Sequence, residues 1–84
     1  MSLDATRWAW KQDVKPEAKL LLLSLADQVG DDRAVNPFND MTFRDTGFDS
    51  DGLVIWLSYL QRKNLLHVVH GDDGVEPFVQ LVMQ

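Results

Sequence analysis

Apolar positions along this chain recur with two different periods, and the change of period divides it into helices and a hairpin. Leu53, Trp56, Leu57 and Leu60 return at helical spacing, which gives one buried face. Just ahead of them, Gly47 can take the positive φ that closes a helix, and Phe48 supplies an apolar plug in the turn. Asp49 or Ser50 then offers a side-chain oxygen to the orphan N–H groups of the next helix. The pattern predicts a helix-turn-helix whose last helix runs over residues 50–63 and ends at Asn64 in a left-handed conformation.

The flanking segments carry their own signals. Lys15-Pro16-Glu17 has proline at a first helical position and an acid in the first turn, and residues 18–29 continue it until Gly30. Leu20 to Leu23 and Leu25 make that helix apolar on more than one side, so it is expected at the centre of the domain. Asn36-Pro37 predicts a short second helix with Asn36 as its cap. Its interior has two competing stripes, Phe38, Met41 and Thr42 against Asn39 and Phe43. Residues 65–69 read as a strand, His70 to Gly74 as a turn and residues 75–83 as the returning strand, with Val79, Leu81 and Met83 on one face. Pro77 has no N–H to give a ladder and predicts a sheet edge. Residues 5–12 read as a short strand or an extended arm with Trp8 and Trp10 on one side, covering an edge of the core. The expected architecture is mainly α with a small β-hairpin: three helices plus a C-terminal wing, a winged helix-turn-helix, in one domain over residues 1–84.

Composition adds limits. With 84 residues and 45% apolar content the chain supports one small core, into which Leu22, Leu25, Leu53, Trp56, Leu57 and Leu60 are placed. The absence of cysteine excludes disulfides and thiolate metal sites. No apolar run approaches the roughly 20 residues that span a bilayer, and the N-terminus lacks the basic and apolar regions of a signal peptide, so a cytoplasmic protein with no membrane contact is expected. His67 and His70, at odd spacing in a strand, point to opposite faces and do not chelate together. Asp31-Asp32 and Asp72-Asp73 fall in turns, where solvated acids are the ordinary case. No glycine-rich phosphate loop and no nucleophile with a base is found, so neither an enzyme nor a cofactor or metal is expected.

The net charge is −5, and its distribution matters more than its total. Arg7, Lys11, Lys15 and Lys19 face only Asp4, Asp13 and Glu17 in the first 26 residues. Asp27, Asp31, Asp32, Asp40, Asp45, Asp49 and Asp51 then crowd the stretch up to the last helix, against Arg33 and Arg44. A DNA-binding surface is ordinarily basic.

The segment Thr6-Arg7-Trp8-Ala9-Trp10, followed by Lys15-Pro16, Ala18-Lys19-Leu20, Leu22-Leu23 and Leu25-Ala26-Asp27, is similar to the opening of the winged helix-turn-helix family of phage and plasmid replication proteins and their regulators. Asp31-Asp32, Pro37, Thr46-Gly47-Phe48, Leu53, Leu57, Leu60 and Leu65 keep that family's spacing, so the resemblance covers residues 5–66. It implies duplex DNA contact through the last helix and the wing. The chain resembles a degenerate member, because Asp49, Ser50, Asp51 and Gly52 stand where the family has Ser, then Arg or Lys, then Ser or Thr.

On a helical projection the face opposite the core is Asp51, Ile55, Ser58 and Arg62, flanked by Val54 and Tyr59. Only Arg62 belongs to the residue types that read bases in a major groove. Three functions follow. The leading one is a DNA-associated regulator of phage or mobile-element origin, binding duplex DNA weakly through Arg7, Lys11, Lys15, Lys19, Ser50, Ser58 and Arg62. The second is a protein-interaction module using Asp51, Val54, Ile55 and Tyr59, with a homodimer through the last helix as one form. The third is an acidic decoy that presents carboxylates to a DNA-binding partner.

Overall fold

The computed structural model describes residues 3–74 and 76–83. It is mainly helical, with a small three-stranded antiparallel sheet: α1 (Leu3–Trp10), α2 (Pro16–Gln28), β1 (Ala34–Val35), α3 (Asp40–Thr46), α4 (Ser50–Arg62), β2 (Leu66–Val69) and β3 (Phe78–Leu81). Leu21, Leu22 and Leu25 of α2 and Leu53, Leu57 and Leu60 of α4 meet Ala5 and Ala9 of α1, Leu66 of β2 and Val79 and Leu81 of β3 in one buried cluster. The Cα radius of gyration, 11.7 Å, is that of a compact chain of this length. Among the described residues no helix is long and apolar enough to cross a membrane.

Residues 5–12 are not a strand or an arm. Ala5 and Ala9, one helical turn apart, are fully buried against α2, and small side chains there let the two helices approach closely. Trp8 and Trp10 consequently point different ways: Trp8 is packed on the core, whereas Trp10 is 63% exposed. In α2, Pro16 sits at the predicted start, but the helix stops at Gln28 and the fully buried Val29 turns extended, one residue before Gly30.

The second predicted helix starts later than Asn36-Pro37. Asn36 Oδ1 accepts from the N–H of Phe38 at 3.0 Å and holds a turn, and Pro37 is buried inside it. The cap of α3 is Asn39, whose Oδ1 accepts from Thr42 N at 2.9 Å. The stripe of Phe38, Met41 and Thr42 is not intact, because Thr42 is fully buried while Phe38 and Met41 are exposed; Asn39 and Phe43 of the competing stripe are both half-buried. Gly47 takes φ 72° and returns its N–H to the carbonyl of Phe43, as expected of a helix-closing glycine. Asp49 caps α4 by accepting from Gly52 N at 2.8 Å. At the other end Asn64 takes φ 62°, with Asn64 N bonded to Gln61 O and Leu65 N to Leu60 O. That 5→2 and 6→1 pair is a Schellman closure. Trp56, expected in the core, is partly buried and lies edge-on to Tyr59, with ring centroids 5.4 Å apart.

The sheet order is β1-β3-β2, so the returning strand is central rather than at an edge. Pro77 stands just before β3 and outside its ladder. The returning strand is shorter than residues 75–83, and the expected strand residue Val75 lies outside the described residues. The extra strand, β1, is brought in by Arg33, which has φ 58° and accepts from Leu81 N through its carbonyl at 2.9 Å. A non-glycine residue in that region carries no sequence signal, so β1 was not foreseen.

Candidate nucleic-acid interface

Capped by Asp49 and closed by Asn64, α4 turns Leu53, Leu57 and Leu60 inward. Ser50, Asp51, Val54, Ile55, Ser58, Gln61 and Arg62 are left exposed, Ile55 by 60% and Val54 by 50%. Gln61, a side chain suited to bases, is already engaged: its Oε1 accepts from Val68 N at 2.7 Å and ties α4 to β2. Tyr59 does not join this face. It is half-buried, packs on the core, and its hydroxyl accepts from Lys15 N at 3.3 Å. Beside the exposed face, Phe38, Val54, Leu57, Ser58, Val68 and Pro77 line a groove of about 330 Å³ between α4 and the β2–β3 hairpin. Asp51 at the start of α4 and Asp72 and Asp73 in the hairpin turn are all exposed. Negative charge there opposes phosphate and removes the counterion release that drives DNA affinity.

The basic residues gather elsewhere. Arg7 is exposed on α1 and Lys11 follows one turn later, its N–H bonded to Trp8 O at 3.2 Å. Lys15 is the residue before Pro16 at the start of α2, and Lys19 lies one turn into that helix. The Lys19 ammonium donates to Trp10 O at 2.5 Å and lies 5.9 Å from the Trp10 ring centroid. At the C-terminal end of α4, the capping residue Lys63 places its ammonium 5.7 Å from the Tyr59 ring centroid. Lys11 and Lys63 line one cavity of about 440 Å³ with Trp8, Gln12, Asn64, Leu65 and Val82. The α1–α2 linker and the residues after α4 therefore bring Lys11 and Lys63 to one cavity, while the backbone N–H of Lys15 anchors that linker on Tyr59, with Lys19 and Arg7 on the adjoining helices. Asp13 in the same linker and Glu17 in the first turn of α2, both exposed, are the acids nearest in sequence.

Of the sequence candidates, Arg7, Lys11, Lys15 and Lys19 fall in this basic region, and Ser50, Ser58 and Arg62 lie along the exposed face of α4. Lys63 was missed as a site residue. Its only signal was the four-residue spacing from Tyr59, which puts both on one side of the helix. His67 and His70 are exposed, and Asp32 Oδ1 accepts from Ala34 N at 3.2 Å in its turn. Among the described residues no group of three or more His, Cys, Asp or Glu is placed to hold a metal ion. Comparison of the chain with protein-family models, with curated proteins and with solved structures finds no match.

Proposed function

We propose that this chain is a winged helix-turn-helix protein that associates weakly with duplex DNA through phosphate contacts from a lysine cluster, not through base reading along α4. In this reading α3 and α4 are the helix-turn-helix and the β2–β3 hairpin is the wing. The chain acts as a small regulator of phage or mobile-element type, in keeping with the resemblance of residues 5–66, and it binds rather than catalyses. The observation that carries the proposal is the meeting of Lys11 and Lys63 at one cavity, with Lys63 over the Tyr59 ring, the backbone N–H of Lys15 bonded to the Tyr59 hydroxyl, and Lys19 held beside Trp10. The exposed acids Asp51, at the start of α4, and Asp72 and Asp73, in the hairpin turn, speak against those sites as the source of affinity.

About four lysine–phosphate contacts give a slope of log K against log salt of roughly −3.6, hence a loss of roughly 100-fold between ~50 and ~200 mM salt. Nonspecific contact of this kind is micromolar or weaker at physiological salt. Fluorescence anisotropy with a labelled duplex tests it. The triple variant Lys11→Ala, Lys15→Ala, Lys63→Ala should abolish most binding and flatten the slope to about −1. Nanomolar, sequence-selective binding that survives the triple variant overturns the proposal.

A further inference from the structure

We infer that the exposed face of α4 is a contact between two copies of this chain, related by a two-fold axis that lays α4 antiparallel on itself. The centre of the face is apolar, with Ile55 60% and Val54 50% exposed. β-Branched side chains at such positions bring no helix propensity, so water and helix stability alone do not account for them. The ends of the face carry opposite charges: Asp51 in the first turn of α4 and Arg62 in the last. They are separated by about 16 Å along the axis at the usual helical rise.

A two-fold pairing makes each contact occur twice, so a face with opposite charges at its two ends complements itself when the helices run antiparallel. Setting Asp51 against Arg62 of the second copy fixes the register. Ile55 then falls opposite Ser58 of the second copy. Ser58 is a small residue on the wall of the groove between α4 and the hairpin, beside Val54, Leu57 and Val68. Each Ile55 is thus delivered to the mouth of an apolar groove on the other copy. The result has an apolar centre and a charged rim, the usual anatomy of a protein interface. The patch is small and each copy carries −5, so the association is of modest affinity. It does not depend on the lysine cluster or on DNA.

Sedimentation equilibrium of the full chain without DNA, from low to high micromolar, tests the pairing. The wild type is expected to dimerise, and Ile55→Glu to weaken association by about tenfold or more, because it buries a carboxylate without a partner. Asp51→Arg and Arg62→Asp should each weaken it, whereas the double charge exchange should restore it. All three residues are exposed, so circular dichroism of the variants should match the wild type. A wild type that stays monomeric at high micromolar concentration, an Ile55→Glu variant that dimerises equally well, or a double exchange no better than its parents overturns the inference.

Discussion

Gln28→Ala is the substitution whose effect follows most directly from the polar packing of α2 on α3. Gln28 Nε2 donates to Thr42 Oγ1 at 2.9 Å and to the carbonyl and hydroxyl oxygens of Ser24, both at 3.2 Å. Its Oε1 accepts from Asn39 Nδ2 at 2.8 Å, so the residue that caps α3 is itself held by α2. Thr42 is fully buried, and among the described residues no buried side-chain polar atom lacks a partner. Truncation leaves the Thr42 hydroxyl without that donor and loosens the Asn39 cap. A net hydrogen bond is worth about 0.5–1.5 kcal/mol and an orphaned buried group costs about 1–3 kcal/mol. The better helix propensity of alanine returns a few tenths, so the expected loss is about 2 kcal/mol. A chain of this length has a total stability of roughly 4–13 kcal/mol. The melting temperature should fall by about 8–16 °C. Urea unfolding of wild type, Gln28→Ala, Thr42→Val and the double variant measures the effect, and the cycle should show about 1 kcal/mol of coupling. A Gln28→Ala protein within about 0.5 kcal/mol of wild type, the range of ordinary surface substitutions, would falsify this account of the α2–α3 junction.

Two further stability predictions use the same unfolding assay. Leu60→Ala, at a fully buried site, should cost about 2–5 kcal/mol, and more than Trp56→Ala, because the larger side chain is only partly withdrawn from water; the reverse order would misplace the core. Gly47→Ala should cost about 1–2 kcal/mol through backbone strain alone, since a Cβ at this φ of 72° meets nothing within 4 Å; an unchanged midpoint would mean that Gly47 is not left-handed.

What could be read from residues alone was whatever local stereochemistry dictates. Gly47, Asp49 and Asn64 declared the ends of the two helices they flank, and the spacing of Leu53, Leu57 and Leu60 declared the buried side of α4. The N-terminal helix was hidden because its buried face consists of alanines, which a search for large apolar residues passes over, while Trp8 and Trp10 imitate strand alternation. Asn36, the expected cap of α3, and Asn39, the actual one, each accept from a backbone N–H shortly after them, and the hydrogen bond from Asn39 to Gln28 of α2 is a tertiary contact that no local pattern reveals. β1 depends on the left-handed Arg33, a conformation ordinarily announced by glycine or asparagine. In the candidate site, four basic residues were visible as a charge imbalance near the N-terminus. The meeting of Lys11 with Lys63 was not, because it joins segments more than forty residues apart, where the backbone of Lys15 is also tied to Tyr59. Tyr59 was assigned to the exposed face for the same reason: angular position on an isolated helix takes no account of the α1–α2 linker that covers it.

The central claim, that phosphate contact comes from the lysine cluster and not from the start of α4, is tested most directly by amide chemical-shift mapping. A ¹⁵N-labelled protein is titrated at low salt with a duplex, and each backbone amide reports where the DNA lies. The account predicts that the largest shifts fall on Lys11, Gln12, Lys15, Lys19, Lys63 and Asn64, change little with DNA sequence and vanish as salt is raised. Ser50, Asp51, Val54 and Ile55 should stay nearly unmoved. Largest shifts on Ser50 to Ser58 and on the hairpin turn, dependent on DNA sequence, would contradict it.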